Sequence, residues 1–544
     1  MPQKKKAYES NFLMQGTIVP AAGIIVGLIG LLYKIPMTRI LGDEGIGYYN
    51  TAYEIYNIGL ILSSYSLPLA VSKLIAQKQV KKRYEDSRKV FRCGIALGVF
   101  TGGLMTVLLL CGSDFIASVI FKSSGSALPL RVMAPTILVF AVMGVFRGFF
   151  QGHGNMVPTS ISQIIEQVVH ALISIWASYD FLRRFADRDN PVSYGAAGGT
   201  LGTLVGALAA FFVLSVMMLR QKRQTDGHAL SRSQEEVSTD AQIMKLLLLT
   251  FTPIILSQFV YQLSGTVDNA LFGVIMDGKG FTEKERLSLL GIYGGKYRLL
   301  TNVPVAIASS LGASMIPSIV VSRGAGRKEE VKHKIYITIK FNMLLAIPCA
   351  FGMFALASPI MRLVFGDGRE LTKELLMLGS SSVIFFSLST VTNSVLQGID
   401  LMRKSVTHSA ISLLLHAVLV WLMLSLLEWG VYGLVIGNVT FALVVCILNW
   451  RAIGRYLNYR QEVKTTFLLP ILCSAVMAVF AALIYYGIHL AIASNTVCVA
   501  AAVLGAVCIY GLLILRLRVV SEEELKEMPM GRTIFKAGRK MKLI

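Results

Sequence analysis

The stretch YKIPMTRILGDEGIGYY, Tyr33 to Tyr49, decides how this chain is read. Its first half closes an apolar span that carries Lys34 and Arg39, its second half is an acidic, glycine-rich turn, and another apolar span follows. A cation part-way along a membrane helix costs roughly 2.5–3.5 kcal/mol on insertion scales, so it faces a protein interior or a watery cavity and needs a partner. Lys34, followed by Pro36, therefore reads as a functional position inside a membrane-embedded bundle.

The rest of the chain agrees with that setting. Of its 544 residues 54% are hydrophobic and 15% charged, with a mean hydropathy of +0.63, which describes a polytopic membrane protein and not a soluble enzyme on an anchor. The formal charge of +21 lies mostly in short loops between apolar spans, as topogenic charge against an anionic inner leaflet does, so no nucleic-acid partner is expected. Cys93, Cys111, Cys349, Cys446, Cys473, Cys498 and Cys508 all sit in or beside apolar spans without a C-x-x-C and read as packing residues. The basic start, Met1 to Lys6, precedes an apolar stretch with no small-residue cleavage site and reads as the lead into a retained first helix.

Apolar stretches long enough to cross a bilayer fall at 16–41, 47–76, 93–111, 132–150, 158–179, 195–219, 243–275, 287–321, 335–357, 375–398, 405–426, 431–450, 465–486 and 497–515, an all-α fold of fourteen helices. Alternate connections are basic, as in KQVKKRYEDSRK (78–89), SRGAGRKEEVKHK (322–334) and RAIGRYLNYRQEVK (451–464), so both termini are expected on the cytoplasmic side. The longest polar connection, 220–242, reads as a hinge between an N-lobe, 1–219, and a C-lobe, 243–453. Helices thirteen and fourteen, 454–516, and a basic tail, 517–544, follow.

The lobes look like repeats. VFRGFFQGHGNMVPTSISQIIEQVVHAL (145–172) resembles VTNSVLQGIDLMRKSVTHSAISLLLHAV (391–418), and SLPLAVSKLIA (66–76) resembles MIPSIVVSRGA (315–325) at nearly the same offset. Two matches at one spacing argue for a six-helix unit duplicated with parallel topology. Glycines at helical spacing, Gly23 with Gly27, Gly98 with Gly102, and Gly195, Gly198, Gly199, Gly202 and Gly206 along the sixth helix, let backbones approach closely in lipid.

Lys34, Arg39, Glu54, Lys73, Glu166, Asp268, Lys296 and Arg298 stand inside spans. At 1.5 Å per residue, Lys34, Glu54, Asp268 and Lys296 fall roughly 10–14 Å below the outer ends of helices one, two, seven and eight. Two readings stand side by side: internal pairs, Lys34 with Glu54 and Asp268 with Lys296, or a polar cavity whose cations engage an anionic headgroup. Lys296 and Arg298, two residues apart, cannot both face one cavity unless Gly294, Gly295 and Pro304 distort the helix. Arg298 is the preferred anion ligand, because a guanidinium grips phosphate bidentately. Arg39 and Lys73 lie near helix ends, where they can snorkel. Glu166 and His170, one turn apart, suit either a buried pair or a proton relay. Tyr48, Tyr49, Tyr53 and Tyr56 read as an interfacial belt.

The opening LLYKIPMTRILGDEGIGYY, the segment GIYGGKYRLLTNVPVAIASSLGASMIPSI (291–319) and the QG motif after helix four resemble the MurJ/SpoVB-like polysaccharide-biosynthesis branch of the multidrug/oligosaccharidyl-lipid/polysaccharide (MOP) exporter superfamily. The resemblance runs over essentially the whole chain. It implies two six-helix lobes around a cavity, a lipid-tail groove on helices thirteen and fourteen, and outward flipping of an undecaprenyl-pyrophosphate-linked peptidoglycan precursor, lipid II, by alternating access. It also implies that Arg298 matches the essential arginine of the eighth helix and Arg39 a basic position ending the first. Where related flippases carry an Arg-Asp pair in helix one and an arginine in helix two, this chain has Tyr33-Lys34 and no cation around Leu62–Ser63. Lys34 is a substitute by position, with Lys296 a further candidate ligand and Glu54, Asp268 and Glu166 candidate acidic or coupling residues.

No H-E-x-x-H, G-x-S-x-G or complete phosphate loop occurs, so no catalytic residue, metal or cofactor is expected, and no soluble domain could hydrolyse ATP. Membrane potential, a monovalent cation or the substrate gradient would drive transport. Membrane lipids and the cell-wall synthesis machinery are the expected partners of a monomer. A flippase for another undecaprenyl-linked polysaccharide or a sporulation-specific precursor, and a cation-coupled multidrug exporter, are the alternatives.

Overall fold

The computed structural model describes residues 2–81, 83–225, 239–521 and 524. Most of the 220–242 connection and nearly all of the tail after 521 lie outside the described residues, which form helices and no strands.

Helix α1 (Pro2–Ser63) contains the opening stretch and breaks at Gly42, where φ is 67° and ψ −176°. The hydroxyls of Tyr33 and Tyr49 lie 3.2 Å apart, whereas sixteen residues of straight helix would separate them by about 24 Å. The chain therefore folds back at Gly42, at a backbone conformation that a β-carbon would disfavour. The expected first helix is the first arm, and the expected second, 47–76, takes in the second arm and the separate helix that begins at Leu67. Ten helical stretches among the described residues are long and apolar enough to cross a membrane, and the first, Ile25–Gln79, contains parts of both arms. Helix α6, introduced below, has the length but carries Gln163, Glu166, Gln167 and His170 and is not among the ten.

Packing forms two compact units, Met1–Gly295 and Lys296–Ile544. In the first, α1 is joined by α2 (Leu67–Val80), α3 (Tyr84–Phe115), α4 (Ala127–Met133), α5 (Pro135–Gly152), α6 (Val157–Arg184), α7 (Pro191–Thr225), α8 (Asp240–Gly278) and α9 (Glu283–Ile292). The glycine stripe of α7 lies on α6 of the same chain: a β-carbon on Gly198 would stand 2.3 Å from the Ala177 carbonyl oxygen, and one on Gly206 2.7 Å from that of Glu166.

The second unit holds α10 (Arg298–Gly324), α11 (Lys328–Ala355), α12 (Ala357–Phe365), α13 (Glu370–Gly379), α14 (Ser382–Gly398), α15 (Met402–Ser425), α16 (Val431–Leu457), α17 (Leu469–His489) and α18 (Asn495–Arg516). Its core interleaves Met315 and Ile319 of α10, Ile335, Ile339 and Met343 of α11, and Val391 and Val395 of α14. Helices α17 and α18 pack together through Met477, Ala481, Tyr485, Val499 and Ala502.

The sequence matches have a counterpart in packing. The QG end of α5 lies on α2, with a β-carbon on Gly152 only 2.7 Å from Ile75, and the QG end of α14 lies on α10, with one on Gly398 3.1 Å from Ile319. The packing boundary, however, falls at Gly295, inside the π-helical turn Tyr293–Tyr297, and not at the 220–242 connection. Helices α8 and α9 account for the difference. Ile243, Leu247 and Phe251 of α8 bury among residues of α2, α3 and α5, and α9 seats on α1, so two helices of the second sequence half pack with the first.

Candidate functional site

The fold-back at Gly42 lines up the two arms of α1 and builds a polar seam in the first unit. Tyr33 is buried with its ring 4.9 Å from that of His170, and Tyr49, Tyr53 and Tyr56 continue the row at 6.1 and 5.9 Å between neighbouring rings. The ammonium of Lys34, half-buried, lies 5.5 Å from the centre of the Tyr53 ring. A desolvated cation gains from an aromatic face at that range, so the tyrosine row is part of the Lys34 environment rather than an interfacial belt. Glu54 is half-buried on the second arm, and Arg39 is exposed.

Glu166 and His170 are not bonded to each other. Glu166 receives Arg147 of α5 at 2.7 Å, while a second nitrogen of that guanidinium donates to the Ser162 hydroxyl at 3.0 Å. His170 Nε2 meets the Thr203 hydroxyl of α7 at 3.3 Å. One turn of helix places residues four apart on one face, yet each side chain leans to a different neighbouring helix. Sequence reading passed over Arg147, although a cation within the span 132–150 was the signal that should have marked it.

Around the π-helical turn, bonds within each unit hold Asp268 and Lys296. Asp268, fully buried on α8, accepts the Tyr293 hydroxyl at 2.9 Å in the first unit. In the second unit the Lys296 ammonium donates to Asp367 at 2.6 Å, both groups buried, and Arg369 reaches the same carboxylate through its backbone N–H and its guanidinium. Burial acts to raise the Asp367 carboxyl, but the bonds from Arg369 and Lys296 outweigh it and hold the group well below the ordinary carboxylate range. The charge of Lys296 is thus compensated from the turn between α12 and α13, a partner 71 residues away that no local pattern announces. Tyr297 bonds Ser382 at 3.2 Å and fixes the other end of the turn. Arg298, half-buried, opens α10 directly after the turn.

Lys340 is another cation that sequence reading passed over inside a span. It is 2% exposed and meets both oxygens of Glu524 at 2.8 Å, with the Tyr336 hydroxyl 2.9 Å away. No three His, Cys, Asp or Glu side chains gather into a metal-holding group among the described residues. Taken one unit at a time, the first offers the half-buried Lys34 beside an aromatic face and tyrosine hydroxyls, and the second offers the half-buried Arg298, groups whose chemistry suits an anion.

The sequence profile described as polysaccharide biosynthesis protein matches residues 13–323, more than half of the chain. The chain belongs to that family. A second profile, described as MatE, matches residues 253–422. Over nearly its whole length the chain is similar to the lipid II flippase MurJ of Bacillus subtilis (strain 168), at 26% identity with 92% of this chain and 95% of that protein covered. It is also similar to stage V sporulation protein B of the same organism, at 23% identity with 97% and 100% covered. The fold is similar to a solved structure of lipid II flippase MurJ in an inward closed conformation, with a TM-score of 0.63 at 13% identity, covering 91% of this chain and 97% of that one. This family member is a MurJ-like protein, a multi-pass transporter of the bacterial membrane and not an enzyme.

Proposed function

We propose that the chain is a lipid II flippase, carrying the undecaprenyl-pyrophosphate-linked peptidoglycan precursor from the inner to the outer leaflet by alternating access. The observation that carries this reading is a half-buried cation in each compact unit, Lys34 and Arg298, in a chain similar end to end to a protein named lipid II flippase. A guanidinium and an ammonium each suit phosphate oxygens, so neither cation calls for acidic residues as principal ligands. Lys296 fixes the turn that presents Arg298. Arg39 meets the headgroup at the membrane surface. Glu54, Asp268 and Glu166 are the acidic residues available for coupling, and membrane potential or a monovalent cation resets the cycle. The chain works as a monomer, both termini inside, and hands its cargo to the cell-wall synthesis machinery.

The test is rescue of lipid II exposure at the outer leaflet in cells depleted of their own flippases. The wild-type chain is expected to restore it and Arg298→Ala to fail at equal membrane abundance. Full rescue by Arg298→Ala would overturn the role of Arg298, and no rescue by the wild type would overturn the substrate. The similarity to stage V sporulation protein B supports a second reading, a sporulation-specific precursor. Rescue of a sporulation defect without rescue of vegetative lipid II export would select it.

A further inference from the structure

The register of the helices around the tyrosine row sets a second pair of charges in line with Lys34. A β-carbon on Gly30 would stand 3.4 Å from the Gln167 amide nitrogen, and the rings of Tyr33 and His170 are 4.9 Å apart. Both contacts step three residues on each helix, so the first arm of α1 and α6 run side by side in one direction. The second arm runs back, with the Tyr49 hydroxyl 3.2 Å from that of Tyr33. Tyr53 follows Tyr49 by one turn and Glu166 precedes His170 by one turn, which puts ring and carboxylate at one depth, about 6 Å further from Gly42 than the contact of Tyr33 with His170. Lys34 reaches that depth from the Gly42 side, because helical side chains lean toward the N-terminus, and its ammonium rests 5.5 Å from the centre of the Tyr53 ring. Arg147 of α5 stands beyond, bonded to Glu166 at 2.7 Å and, one turn further along α6, to Ser162 at 3.0 Å.

Two features of Arg147 suit exchange of its partner better than a permanent pair. Its side chain is 11% exposed and that of Glu166 19%, and a charged pair within a membrane span does not turn such surface to hydrocarbon, so it opens on a hydrated space. The guanidinium also gives one nitrogen to Glu166 and another to Ser162, so neither partner takes the bidentate grip that a phosphate can take. We propose that Arg147 is a loading station for the diphosphate of the cargo, with Glu166 as the carboxylate that holds its place and Lys34, across the Tyr53 ring, as the next cation along the unit. A phosphate arriving at Arg147 displaces Glu166, and the released carboxylate then repels the anion onward to Lys34. This rests on the flippase reading and its topology, which sets Arg147 nearer the cytoplasmic end of the unit than Lys34.

The experiment measures binding of fluorescent lipid II to the purified full chain in detergent. Glu166→Gln is expected to bind about threefold tighter, since the competing carboxylate is gone, and Arg147→Gln about tenfold weaker, with the double variant as weak as Arg147→Gln. A pair that only holds helices together would move both single variants the same way and recover in the double, and that pattern would overturn the station. The double variant leaves no buried charge over, so it carries the comparison with Glu166→Gln where Arg147→Gln alone does not fold. Should the wild type bind no lipid II, the substrate reading fails instead, and the station is judged with inorganic pyrophosphate. In the chain with its seven cysteines replaced, Glu166→Cys is then expected to react with a water-soluble thiol reagent, and pyrophosphate to slow that reaction at least threefold. A thiol that does not react, or that reacts at the same rate with pyrophosphate present, would refute the station.

Discussion

Replacing Asp367 by alanine should injure the second unit more than replacing the lysine it neutralises. Asp367 holds two cations of different character: Lys296, 7% exposed along its side chain, and Arg369, 51% exposed. With the carboxylate gone, Arg369 turns into water at little cost, whereas the buried Lys296 loses the Asp367 end of its ion pair. Breaking a buried pair from one side costs about 3–5 kcal/mol, and about 2 °C of Tm per kcal/mol for a unit of this size gives a loss of about 6–10 °C for Asp367→Ala. Lys296→Met leaves Asp367 with its Arg369 bonds and should cost about 1–2 kcal/mol, near an ordinary core substitution. The double variant Lys296→Met, Asp367→Ala should recover most of what Asp367→Ala alone lost, because no buried charge is left over. Thermal unfolding of the detergent-purified proteins, followed by tryptophan fluorescence and by loss of the monodisperse peak, reads all three. If Asp367→Ala and Lys296→Met were equally stable, or the double variant were worse than either, the pair would not carry this energy. The pH dependence has a definite sign. A carboxyl held below its unfolded value contributes stability above that value and loses it only as pH falls through the folded one, so from about pH 5 to 8 this pair should give a flat profile.

Three further outcomes follow from other contacts. Lys340→Gln and Glu524→Gln should each loosen the hold of Lys340 on Glu524, read as faster proteolysis after residue 516, while the exchange Lys340→Glu with Glu524→Lys should restore protection in part; unchanged proteolysis in both single variants would deny the pair that role. Gly198→Leu places a side chain against the Ala177 carbonyl and should abolish folded, monodisperse protein, whereas Gly103→Leu, where a β-carbon meets nothing within 4 Å, should be tolerated. Arg147→Gln leaves Glu166 half-buried without its cation and should cost about 2–3 kcal/mol, partly recovered by adding Glu166→Gln; additive losses in the double variant would mean the two residues act apart.

Much of the architecture was legible because membrane helices announce themselves by composition. Long apolar runs between basic loops located the helical segments, the glycine spacing marked a close-packing face on α7 without naming its partner, and the two QG stretches marked equivalent helix pairs. The candidate site was legible only as charges at a common depth. Lys34 could be singled out from its span, but its aromatic surroundings depend on a fold-back at Gly42 that brings Tyr53 beside it. The partner of Lys296 lies in a turn reached through three intervening helices, so distance in sequence hid it. Arg147 and Lys340 stand within their spans as lone cations, and only the fold shows their partners, Glu166 on the next helix and Glu524 far along the chain. The packing boundary at Gly295 could not be read from the chain, since it is set by where α9 docks and not by the longest polar connection.

The account rests most directly on the rate at which the purified full chain, in sealed vesicles, carries fluorescent lipid II between leaflets, compared with Arg298→Ala and with the same polyprenol lacking its pyrophosphate. Rapid movement of lipid II, at least about tenfold slower with Arg298→Ala, equivalent to about 1.4 kcal/mol of lost stabilisation, and none of the uncharged polyprenol by the same route, is the predicted result. Lipid II that moves no faster than in protein-free vesicles, or equally fast with Arg298→Ala, would contradict it.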